Sequence, residues 1–80
     1  MWVKFGKINL NLEHVIEFHL DQKDNNSIVF ETLKERLVYK FENNSIRNLV
    51  FNHINWNLCS DTQVVLDLDD YIHELTKEED

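Results

Sequence analysis

Polarity alternates along the first half of the chain. Ile8, Leu10, Leu12, Ile16, Phe18 and Leu20 fall on every second position, with Asn9, Asn11, Glu13, Glu17 and His19 between them. A period of two is the signature of strands that bury one face. His14 interrupts the apolar row, which predicts a break over Asn11–His14: one helical turn capped by Asn11, with the strand resuming at Val15. Before this run, Trp2–Phe5 reads as a short strand and Gly6-Lys7 as the turn after it. Asp21–Ser27 (DQKDNNS) is rich in residues that make Asx turns and tolerate left-handed backbone. Ile28–Leu33 is the next strand, Leu33–Glu35 a tight reversal, and Arg36–Glu42 a strand with Leu37, Tyr39 and Phe41 inward. Short connections pair such strands as an antiparallel meander.

The period changes at Asn43-Asn44-Ser45, a cluster of good helix N-caps. Ile46, Leu49, Val50, His53 and Ile54 then recur at steps of three and four, which predicts an amphipathic helix to about Asn57. Trp56 flanks this stripe. Phe51 and Leu58 lie well off it, so the helix is apolar on more than one side.

A second helix is predicted from Ser60 or Asp61, because Ser60-Asp-Thr-Gln63 fits a capping box. Val64, Val65, Leu68, Tyr71, Ile72 and Leu75 share one arc of that helix, and Asp67, Asp70, His73 and Glu74 lie outside it. A competing reading makes Gln63–Leu68 a strand, since Val-Val-Leu favours one. Thr76–Asp80 reads as a frayed tail. The expected class is α+β, with a three- to four-stranded antiparallel β-meander followed by two amphipathic helices packed on one face of the sheet.

With 80 residues, of which 42% are hydrophobic and 11% aromatic, the chain suits a single domain, 1–80, with one modest core. Proline is absent and glycine occurs once, so Asn and Asp must do most of the turning. One cysteine, Cys59, excludes an internal disulfide and makes a reducing cytoplasm the expected compartment. The start of the chain lacks the pattern of a signal peptide, and no apolar run approaches a membrane span.

Charge changes the picture more than composition does. Residues 1–57 carry seven acids and seven bases, whereas residues 58–80 carry eight acids and one base. A neutral body with an acidic end is a poor binder of nucleic acid or anionic membrane, both of which require clustered Lys and Arg.

Several constellations suggest chemistry. Val64–Tyr71 (VVLDLDDY) resembles the first motif of the haloacid-dehalogenase phosphatases. The resemblance implies Asp67 as nucleophile and Asp69 as acid/base. That chemistry further requires Mg²⁺, a phosphate-binding Ser or Thr, a Lys and another acid on a far larger sheet, so the expected role is a solvated acidic helix face. Asp67, Asp69 and Asp70 lack the glycine of a calcium loop. His14, His19, His53, His73 and Cys59 lack zinc-site spacing. Cys59 and His53 have no orienting partner or oxyanion loop for thiol catalysis, and one glycine cannot build a phosphate cradle. No catalytic residue, metal site or cofactor is therefore expected.

The opening Trp2-x-x-Phe5-Gly6-x-Ile8-Asn9-Leu10…Val15, followed by a meander and a helix, resembles small bacterial β-meander-plus-helix proteins of uncharacterised function, cyanobacterial ones included. It is distantly similar to the flagellar FlbD-like small proteins. The resemblance covers residues 2–57 and implies no catalytic residue.

The function expected from these features is a non-enzymatic protein-interaction module, acting as a homo-oligomer or accessory subunit. Phe51, Trp56 and Leu58 are the candidate contacts, because a single sheet has little with which to cover them. The alternative is an acidic inhibitor or immunity-type protein that masks a basic, nucleic-acid-binding partner with Asp67, Asp70 and Glu74.

Overall fold

The computed structural model describes residues 1–59 and 65–77. The class is α+β. In chain order the elements are β1 (Trp2–Phe5), β2 (Ile8–Asn11), a single 3₁₀ turn (Leu12–His14), β3 (Val15–Leu20), β4 (Ser27–Thr32), β5 (Arg36–Lys40), α1 (Asn44–Cys59), β6 (Val65–Asp67) and α2 (Leu68–Thr76). The strands form two three-stranded sheets, ordered β2-β1-β6 and β3-β4-β5. The second is an antiparallel meander, but the single sheet expected from the period-two pattern is divided in two. In the first, β1 pairs antiparallel with β2 and parallel with β6, so a C-terminal strand flanks the N-terminal one.

Local chemistry sets the joints. Gly6 takes φ +60°, the left-handed geometry that turns β1 into β2. The Asn11 side chain accepts a hydrogen bond from the Glu13 amide at 3.0 Å and caps the 3₁₀ turn, and β3 resumes at Val15 as the sequence predicts. In the β3–β4 loop, Asp21 accepts from the Lys23 amide and Asp24 from the Asn26 amide, both at 2.9 Å. The Asn26 amide bond, with lesser help from the Ser27 hydroxyl and Lys40, holds the Asp24 carboxyl below its ordinary range against the opposing effect of lost hydration. At the β4–β5 reversal, the Thr32 hydroxyl accepts from the amides of Lys34 and Glu35 and leaves Leu33 at the tip. Asn43 caps α1 by accepting from the Ile46 amide at 2.9 Å.

The core lies between the sheets and the helices. Leu10, Val3 and Leu66 form one cross-strand row of the first sheet and are all buried. Ile28, Phe30, Tyr39 and Phe41 come from the meander side, and Ile46, Val50 and Ile54 from α1. Phe5 joins the two sheets, with its ring 5.5 Å from Tyr39 and 5.1 Å from Phe41. α1 packs on β4, α2 packs on β1, and the two helices touch. Each fully buried aliphatic or aromatic side chain in such a core is worth about 1.5–3 kcal/mol.

The structure corrects the second helix. Residues 65–67 are a strand, as in the competing reading, and the helix starts at Leu68. Asp67 is its N-cap and accepts from the Asp70 amide at 3.0 Å. Parallel pairing with β1 turns Leu66 into the core and leaves Val65 exposed, the reverse of a helix running through both. The proposed capping box at Ser60–Gln63 lies outside the described residues.

Candidate functional site

Ile16 was expected in the buried row, yet it is 65% exposed. The reason is a β-bulge. Val15 opposes Thr32 and Glu17 opposes Glu31, so Ile16 has no cross-strand partner. The extra residue lets Val15, Phe18 and Leu20 all pack against the core while Ile16 turns outward.

Apolar side chains gather around that bulge. Trp2, Ile16 and Leu33 line one open cleft of about 600 Å³, together with Leu10 and Val15 at its base and Glu13, Lys34 and Glu35 among its polar walls. Leu33 is 90% exposed. A smaller groove runs along β3 itself, bounded by Leu12, Val15, Ile16, Phe18 and Leu58, with Glu17 as its one charged residue. Val15 and Ile16 belong to both depressions, so the two form one continuous surface. Among the described residues β3 is also an edge strand, with β4 on one side and no strand on the other. An apolar fringe around an unpaired edge is a surface on which another strand can add.

The sequence-derived contacts divide between surface and interior. Leu58 is exposed and belongs to the β3 groove. Trp56 is 76% exposed and sits two residues, hence about 200°, around α1 from Leu58. Phe51 is half-buried, its ring 5.2 Å from that of Phe18, so it serves the core. Asp67 caps α2 and approaches the Lys4 ammonium at 3.9 Å. Its neighbour Asp69 accepts a 2.6 Å hydrogen bond from the Gly6 amide. Asp70 and Glu74 are exposed, one turn apart on α2. The acids of the Asp-x-Asp motif thus hold α2 to the first sheet.

Sequence reasoning missed a third arrangement. Glu17 and His19 of β3 and Glu31 of β4 share the polar face of the meander, each offering a ligand atom within 4.8 Å of the others. Alternation puts Glu17 and His19 on one face, but only the register that pairs Glu17 with Glu31 adds the third group. His53, on the apolar stripe of α1, stacks on Tyr71, and burial lowers its pKa from the usual 6.5. Among the described residues no helix is long and apolar enough to cross a membrane. No family model, curated protein or solved structure matches the chain.

Proposed function

We propose that this chain is a non-enzymatic interaction module that associates with a second copy of itself through the free edge of β3. The observation that carries the reading is the bulge at Ile16, which projects a large apolar side chain beside a strand edge that is unpaired among the described residues. Leu12 and Leu58 flank that edge, and Trp2 and Leu33 extend the apolar surface beyond the bulge. Two copies related by a twofold axis would pair β3 with β3 and join their meanders into one six-stranded sheet. Residues 1–57 carry equal numbers of acids and bases, so this part of the surface opposes its own copy with no net charge. Localisation in the cytoplasm accords with the single cysteine.

Sedimentation velocity over a wide concentration range tests this reading. The wild-type chain is expected to dimerise, and Ile16→Lys to stay monomeric. Trp56→Ala, outside the groove, should leave the dimer unchanged. A wild-type monomer at the highest concentration, or an unaltered dimer in Ile16→Lys, would remove the proposal.

The acidic-inhibitor reading keeps Asp70 and Glu74 as its exposed contacts, while Asp67 and Asp69 already have structural partners. It ranks second because fewer of its acids face solvent unengaged.

A further inference from the structure

We infer that Glu17, His19 and Glu31 form a surface site for a divalent transition-metal ion of the zinc class. The three side chains stand on one face of the β3–β4 pair. Glu17 is directly opposite Glu31, and His19 follows Glu17 by two residues. Their ligand atoms all lie within 4.8 Å of one another, close enough for small side-chain rotations to bring all three onto one ion.

The orientation of the imidazole carries the argument. His19 Nδ1 lies 3.2 Å from the Leu20 carbonyl oxygen. A carbonyl can only accept, so this contact is a hydrogen bond in the tautomer that carries its hydrogen on Nδ1. In the neutral ring, Nε2 is then a bare acceptor. That nitrogen points at the Glu31 carboxylate, 3.4 Å from Oε2. Metal-binding histidines are commonly oriented in this way, with the second ring nitrogen donating to a backbone carbonyl.

The pairing of the carboxylates also favours a cation. Like charges directly across a strand pair are destabilising. Arg36 of β5 reaches the other Glu31 oxygen, Oε1, at 3.9 Å and offsets part of that repulsion. A proton on Nε2 would answer one oxygen; a divalent ion answers both carboxylates and the imidazole together. Two carboxylate oxygens and one imidazole nitrogen suit Zn²⁺ or Mn²⁺ better than Ca²⁺, which takes six to eight oxygens. Three protein ligands leave a fourth position to water. The site faces solvent on the meander and shares no residue with the α2 acids.

Zn²⁺ titration by calorimetry, in a Cys59→Ser background to remove the exposed thiol, tests the site. One ion per chain is expected. His19→Ala should lose that binding, and Glu31→Gln should weaken it at least tenfold, with circular dichroism confirming that each variant folds. A second measurement needs no ligand substitution. Mn²⁺ added to the isotopically labelled Cys59→Ser chain should broaden the amide signals of residues 17–19 and 29–31 first. Unchanged Zn²⁺ affinity in His19→Ala, or broadening centred on Asp67–Asp70, would overturn the assignment. So would the absence of saturable binding.

Discussion

His53 of α1 and Tyr71 of α2 stack face to face, with ring centroids 3.9 Å apart and planes 7° from parallel. This contact ties the helix that covers the meander to the helix that covers the first sheet. It also puts a titratable ring in a half-buried position, where loss of hydration lowers its pKa from 6.5.

The stack predicts a pH dependence with a definite sign. As pH falls through 6.5, His53 of the unfolded chain takes up a proton before His53 of the folded chain does. The unfolded state then binds more protons, so stability declines as pH falls from about 6.5 toward the folded-state value. Urea midpoints at pH 7.5 and 5.5 should differ more for the wild type than for His53→Phe, which keeps a flat ring and cannot be protonated. An equal drop in both would show that other groups account for the acid sensitivity.

Asp67 and Asp69 are expected to matter for stability. Asp67→Ala removes the α2 cap and should cost about 1 kcal/mol, whereas Asp67→Asn, which caps equally well, should cost much less. Asp69→Ala breaks the bond to the Gly6 amide and should cost about 1 kcal/mol. Urea unfolding of the three variants checks the order. Equal losses in Asp67→Ala and Asp67→Asn would point to the negative charge instead of the cap.

Gly6 should resist replacement for reasons of backbone alone. A Cβ there meets nothing within 4 Å, but φ is +60°. Gly6→Ala is expected to cost about 1–2 kcal/mol. Gly6→Asn should cost less, because asparagine tolerates left-handed backbone. If alanine is harmless in thermal unfolding, the β1–β2 turn must relax to another conformation.

How much of this was legible in the sequence depends on whether the information was local. The Asn11 cap, the Asx turns at Asp21 and Asp24, the Thr32 reversal and the start of α1 all follow from residues within a few positions of one another. Pairing was not legible. Nothing near Val65 announces that it will lie beside Trp2, sixty-three residues away, and that parallel contact is what makes residues 65–67 a strand. The bulge at Ile16 was hidden for a related reason: alternation across Ile16, Phe18 and Leu20 looks unbroken, and only the offset against β4 exposes the extra residue. Both candidate sites depend on that offset, since it turns Ile16 outward and sets Glu17 opposite Glu31.

Tyr39 offers a test of the core itself. Its ring packs between Phe5 and Phe30, at centroid distances of 5.5 and 5.0 Å, and its hydroxyl is buried without a hydrogen-bond partner among the described residues. Burial, with a smaller contribution from Glu35, raises the pKa of that hydroxyl above 10.0. A buried donor with no acceptor costs about 1–3 kcal/mol of lost hydration. Tyr39→Phe keeps the ring contacts and removes the unpaired group, so it should leave stability unchanged or raise it by up to about 1 kcal/mol. Tyr39→Leu, which loses the aromatic contacts as well, should destabilise. A large loss in Tyr39→Phe by denaturant unfolding would mean that the hydroxyl has a partner, and the packing between Phe5 and Phe30 would then have to be redrawn around it.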